Sequence, residues 1–467
     1  ECLDICADNL PESLDIGEVL ACLGAQMLVP PCAWAVPPGH DNALTPYGSL
    51  WRGAYGELAQ RFGLPVVGVS NVGWVEQGNW AGHAVIGCSL AMAGDIPAMW
   101  LRDATAQVWP YLRFANADAA LQQLLAGVLN QQVDCLLIDP WANAFERVPG
   151  ASPWSDDATQ MHPLVHERKW ELDSPCAVLR LSHGYWQATG DLKPFDGRWR
   201  AAMQAVLQVL RERQQGGGPY RFQRRAANPL DSLPFGGEGW PALPGTGLIA
   251  SAFRPSDDAC TFPLHIPSNF LAAVSLRQLA EVATAVGDLD LATEALDIAT
   301  TVQRALDTLP TPWPYEIDGF GSQLCIDDAN VPSLLSLPYL GACGADDPRY
   351  QATRAQILNP VRNPFFIEGR AARGIGSPHT GLRRIWPMAL TMQALTSTSE
   401  AEIRTCLRSL CQTHAGTGLM HEAFDADDPM QFSRPWFAWA NSLFGELIMT
   451  VHQQRPELLK ELHSCPP

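Results

Sequence analysis

Leu121, Leu124, Leu125, Val128 and Leu129 fall at i, i+3, i+4, i+7 and i+8, the spacing that lays apolar side chains along one face of a helix. The same period runs through Phe270–Val286, Leu291–Leu306, Glu402–Cys411 and Trp436–Val451, and Met203–Leu210 reads as the end of another helix. Before residue 94 the texture differs. Short β-rich runs, Gln26–Pro30, Leu64–Ser70 and His83–Ile86, flank a helical stretch from Trp51 to Phe62, and strands alternating with helices predict an α/β segment. The pattern therefore predicts two regions, residues 1–93 and residues 94–467.

Between the predicted helices lie long polar segments rich in Gly and Pro, 214–262, 310–338 and 359–385. Such loops are uncommon in compact domains unless they carry function, and these hold much of the Asp, Arg, His and Trp. Many helices with their functional loops gathered at one end suggest a helical barrel.

Six segments carry the candidate chemistry. The first is Met99–Gln107, where Arg102 and Asp103 stand beside Trp100, a plausible grip on a sugar or a buried ion pair. The second is the charge run Glu167–Ser174, by default a solvated helix face. The third is FRPSDDAC, residues 253–260, with adjacent Asp257 and Asp258 behind Arg254. The others are Tyr315–Gly321 with Asp327–Asn330, then Gly374–Thr380, which contains His379, and Met420–Phe424 running on to Arg434. No segment has the ligand spacing of a calcium loop or a zinc site, and no glycine loop leads into GK[ST]. Two acids from distant segments, converging in a partly dry pocket, would have their proton affinities pushed apart. That suits glycosidic bond cleavage, with one carboxyl protonating the leaving oxygen and one carboxylate acting on water or the sugar.

Composition narrows the substrate. The net charge of −18 argues against nucleic acid and against an anionic membrane surface, and favours a neutral substrate. Sixteen tryptophans suit sugar faces as well as helix interfaces. The thirteen cysteines are scattered without a CxxC pair. With no apolar run long enough to span a membrane and no visible signal peptide, they point to reduced thiols and a cytoplasmic protein.

Several of these strings together resemble the metal-independent α-mannosidases of glycoside hydrolase family 125: GDIPAMWLRDATAQVWPY, ERKWELDSPC, PYRFQRR, FRPSDDAC, YEIDGFG, DDANVPSLLSLPYL, GIGSPHT, and GTGLMHEAF with RPWFAWANSLFGELI. The resemblance runs in order from about Gly94 to Leu447. It implies a mainly α, (α/α)6 barrel that removes α-1,6-linked mannose from the end of a mannose-containing glycan, with inversion and without metal or cofactor. It further implies an acid in the RPSDD segment, Asp257 with Asp258 as the alternative, and Glu422 as the base. An inverting pair stands roughly 6.5–9.5 Å apart. Asp257 would need a raised pKa, which burial and Asp258 favour and Arg254 opposes. Trp100, Arg102, Asp103, Arg254, His379 and Arg434 are the candidates for holding the sugar.

The first region resembles a different family. Ile5–Glu12, Gly68–Gly73 and Gly82–His83 are similar to the C-terminal half of a nitrilase, or carbon–nitrogen hydrolase, domain, with Cys6 at its nucleophile position. That family's glutamate base and lysine lie upstream of the cysteine, where this chain has no residues, so Cys6 is expected to be inactive. The barrel is expected to lack its first helical segment. Amide or nitrile hydrolysis through Cys6, and an inactive chain that still binds sugar, are the alternatives to a mannosidase.

Overall fold

The computed structural model describes residues 98–463, apart from Gly217, Pro219 and 226–228, together with Ile96 and six short strands between residues 31 and 92. The chain divides into two compact units, residues 1–97 with 417–419, and the remainder. In the first unit Val66–Ser70 pairs in parallel with Pro31–Cys32 and antiparallel with Leu90–Met92, and Ala84–Val85 lies between Ala35–Val36 and Gly73–Trp74. Two of these strands fall in the β-rich runs at 64–70 and 83–86. Cys6, the run at 26–30 and the helical stretch 51–62 lie outside the described residues.

The second unit is mainly helical. Its helices are α1 (Leu101–Val108), α2 (Ala119–Ile138), α3 (Asp173–Thr189), α4 (Gly197–Gln214), α5 (Ile266–Ala285), α6 (Leu289–Asp307), α7 (Pro348–Ile357), α8 (Pro387–Leu395), α9 (Glu400–Gln412), α10 (Ala438–Gln454) and α11 (Pro456–His463). Every helix expected from periodicity is present. α1 packs on α3, α3 on α5, α8 on α10, and α10 back on α1. The buried turn-rich stretch 333–340 fills the remaining inner position, and its Tyr339 hydroxyl donates to Glu446 of α10 at 2.9 Å. The second layer covers this ring: α2 lies on α3, α6 on α5, and α9 on α8. Inner and outer helices alternate along the chain, as in an (α/α)6 barrel.

The two layers start differently. Asp118, Asp196, Asp288, Asp347 and Ser399 each cap an outer helix by accepting backbone N–H bonds. The inner α1, α3, α8 and α10 follow Trp100, Leu172, Trp386 and Phe437, none of which caps. A helix start carries unpaired N–H groups and partial positive charge. Leaving these four starts uncapped turns that potential toward whatever gathers there, while α5 is the exception, its Ser268 N–H donating to His265 Nδ1. Short strands lead into several of them: Ala98–Trp100 into α1, Leu264–His265 into α5, and Arg384–Ile385 into α8.

The charge run is not a solvated face. Glu167, Arg168, Lys169, Glu171 and Asp173 are all buried, because the run enters α3 through the interior and finds its counter-charges there. Lys169 Nζ lies 2.8 Å from Asp231 and 3.3 Å from Glu167, and Arg224 joins Glu167 to Asp157 at 2.8 and 2.7 Å.

A candidate active site at the starts of the inner helices

Arg102 lies in the first turn of α1 and is almost fully buried. One guanidinium nitrogen donates to Glu171 at 2.7 Å and to Asp173 at 3.0 Å, while the other reaches Asp257 at 3.1 Å and lies 3.5 Å from Asp103. One cation thus gathers four acids from three segments. Trp439 of α10 places its ring 5.6 Å from the same guanidinium.

The tight loop from Phe253 to Ala259 separates the two adjacent aspartates. Arg254 N donates to Asp258 O and Asp257 N donates to Arg254 O, and the turn closes with Asp257 at φ +65°. Left-handed backbone is uncommon outside glycine, though Asp and Asn tolerate it best. The turn sends the Asp257 carboxyl to Arg102 and leaves it about a quarter exposed, while Asp258 is fully buried with Oδ1 3.0 Å from His379 Nδ1. Arg254, expected to hold sugar, is buried with its Nε 2.5 Å from Glu316 and also donates to Thr261. It fastens the loop from behind.

His379 sits on a 3-10 turn whose backbone N–H bonds to Ser377. Gly376 makes the approach possible: a Cβ there would meet the Arg384 carbonyl oxygen at 2.1 Å. Glu422, buried just before the strand Ala423–Asp425, lies 3.5 Å from Arg434 Nε. Asp327 accepts the backbone N–H groups of Leu334 and Leu335 and so organises the fourth inner element. Asp328 accepts from Ser377 beneath His379.

Charge ties the distant acids together. Burial pulls the His379 imidazolium down, but the hydrogen bond and charge of Asp258, then Asp257 and Glu422, push it up to about 9. His379 is therefore a cation at neutral pH that feels both Asp257 and Glu422. Asp103 is pushed up to about 6, by burial first, with Arg102 opposing and Asp257 adding. The expectation of a raised Asp257 is not met. Burial raises it, but Arg102, a hydrogen bond with Glu171, Lys169 and His379 outweigh burial and hold it below the usual carboxylate range. Its neighbour Glu171 moves the other way, raised by burial against the pull of Arg102 and further by Asp257 and Asp173. Among the described residues no group of three or more His, Cys, Asp and Glu is arranged to hold a metal ion.

Residues 72–449 match the family of metal-independent alpha-mannosidases, GH125. The chain belongs to that family. A Schizosaccharomyces pombe protein, the meiotically up-regulated gene 157 protein, is 41% identical over 399 residues, 80% of this chain and 78% of its own length. A solved Streptococcus pneumoniae structure, from work on a family of widely distributed metal-independent alpha mannosidases, is a non-productive substrate complex with alpha-1,6-mannobiose. It is 40% identical with a TM-score of 0.76, over 79% of this chain and 89% of that one. This chain is therefore a glycoside hydrolase, an α-mannosidase of GH125. The family match takes in residues 72–93, which the sequence pattern grouped with the nitrilase-like segment.

Within this GH125 domain the structure brings Trp100, Arg102, Asp103, Asp257, Asp258, His379, Glu422 and Arg434 to one end of the inner ring. Trp100 meets His166 edge to face at 4.9 Å, and Arg434 lies over the Phe437 ring at 5.6 Å. Sequence reasoning missed Glu171, Asp173 and Trp439. The first two stood in the charge run, and the signal that could have found them is the tryptophan and leucine interleaved with its charges, which a wet helix face does not need.

Proposed function

We propose that this α-mannosidase is exo-acting, cleaves α-1,6-linked mannosides of a mannose-containing glycan, and inverts the anomeric centre. Asp257 protonates the leaving oxygen and Glu422 draws a proton from the attacking water. The observation that carries this reading is the placement of His379, whose Nδ1 lies 3.0 Å from Asp258 and whose imidazolium feels the charges of both Asp257 and Glu422. It supports two acids facing a common pocket from segments about 165 residues apart in the chain. The α-1,6-mannobiose held by the 40%-identical relative supports the choice of linkage.

Asp257 is the better acid of the adjacent pair because it is the one that reaches partly exposed space; Asp258 is sealed against His379. Asp103 and Arg434 stand beside the pair, well placed for sugar hydroxyls. The test is mannose release from α-1,6-mannobiose followed by proton NMR. β-Mannose as first product, its loss in Glu422→Gln and Asp257→Asn, and unchanged release in Cys6→Ala are expected. α-Mannose as first product, or an active Glu422→Gln, overturns the reading.

A further inference from the structure

Five large aromatic side chains are exposed among the described residues: Tyr111, Phe114, Phe235, Trp240 and Phe320. The last three stand on two neighbouring loops, residues 233–243 and the hairpin tip 318–321. The loops are joined. Leu243 N–H donates to the Asp318 carbonyl at 2.8 Å, and a Cβ on Gly319 would lie 2.8 Å from Leu243 Cβ. Leu243 is itself exposed. The apolar side chains are therefore gathered rather than scattered, and a gathered patch marks a binding surface.

The Phe235 backbone is bent to keep its ring in solvent. Its φ of +54° and ψ of +49°, with Gly236 following at φ +66°, are left-handed, which is costly for a bulky side chain. The ring meets Trp240 edge to face at 4.8 Å instead of folding into the core. Such an outlier points to use rather than packing.

Both loops are moored to the loop that carries Asp257. Glu316, at the base of the hairpin, accepts from Arg254 Nε at 2.5 Å and from the backbone N–H groups of Thr261 and Phe262 at 3.0 Å. Leu230, just before the 233–243 loop, accepts from Ala259 N–H at 2.8 Å. Glu316 and Ile317 pair antiparallel with His265 and Leu264, so beyond Ile317 the hairpin runs away from the start of α5. Its tip reaches at most about 10 Å past that residue. The patch thus stands outward of the inner-helix starts, beside the way out of the site.

In an exo-acting enzyme the terminal mannose fills the pocket and the rest of the glycan extends from its mouth. Flat apolar rings suit sugar faces. Resting on the exo-acting reading of the function, we infer that Phe235, Trp240 and Phe320, with Leu243, form a platform for the leaving chain, binding mannose residues beyond the one next to the scissile bond. A surface for a protein partner has no need to be tied to the loop that carries the acid; a surface that guides the leaving chain does.

The test measures kcat/KM of the full-length chain on α-1,6-mannobiose and on α-1,6-mannotetraose. Wild type is expected to prefer the tetraose by about tenfold, the worth of one or two aromatic contacts. Trp240→Ala and Phe320→Ala are expected to lose most of that preference while changing less than about twofold on mannobiose, which is too short to reach the platform. A wild type without length preference, or a preference that survives both substitutions, overturns the proposal. So does equal loss on both sugars, the result of a merely structural role. A change of sedimentation mass in Trp240→Ala would make the patch a contact between copies and overturn it as well. If wild type cuts neither sugar, the linkage reading fails by itself, and calorimetric titration with the tetraose decides the platform. Weaker binding by Trp240→Ala than by wild type supports it; equal or absent binding overturns it.

Discussion

Asp103 and His379 respond to pH in ways that melting experiments separate. The Asp103 carboxyl rises from its ordinary value near 3.8 to about 6. Folding therefore favours its neutral form, an advantage fully present below about pH 4 and lost as pH passes 6. At pH 8 the ionised side chain costs about 3 kcal/mol. Asp103→Asn is expected to melt a few degrees higher than wild type at pH 8, to match it at pH 4, and to turn over more slowly at both. His379 moves from 6.5 to about 9, so its ion pair with Asp258 contributes fully below pH 6.5 and is lost as pH rises through 9. The fall in Tm between about pH 7 and pH 10 should flatten in His379→Asn. Asp257 shows where residue-level reading stopped. Its adjacency to Asp258 was visible in FRPSDDAC, but the φ of +65° that turns the two carboxyls toward different partners was not, and neither was the Arg102 cation that reverses its expected shift.

At the scale of elements, four outer helices were legible because each has one wet face and a polar start, whereas α7, which also follows a capping Asp347, was not read. α2, α4, α6 and α9 begin after Asp118, Asp196, Asp288 and Ser399, signals a sequence displays openly. Among the inner helices, the short α1 was not read, and neither were α3 and α8. The latter two are buried along most of their length and begin after Leu172 and Trp386 without a cap. An all-round apolar helix has no periodic contrast to read. The candidate segments were found by their unusual residues, the elements holding them only in part. The same blindness misplaced the charge run. Lys169, buried between Glu167 and Asp231, is a test of that correction. Lys169→Ala should destabilise by about 3 kcal/mol or more, since it strands buried carboxylates, and the loss measured by urea melts should be insensitive to salt. A solvated lysine would cost less than about 1 kcal/mol.

Across the whole molecule, a surface with net charge −18 serves a pocket whose charges are largely paired with one another. A neutral disaccharide feels little of that outer field, so kcat/KM on α-1,6-mannobiose should change less than about twofold between about 0.05 and 0.5 M salt. An acidic or basic true substrate would show a steep slope. The contact between α1 and α10 has a further consequence for biosynthesis. Trp439, which lies against Arg102, emerges more than three hundred residues after it. A nascent chain stalled before residue 438 already holds Asp257, Glu422 and the His379 loop, yet has an open seam where the last inner helix belongs. Catalytic competence thus waits for α10, and products terminated before it should be inert clients for chaperones rather than partial enzymes.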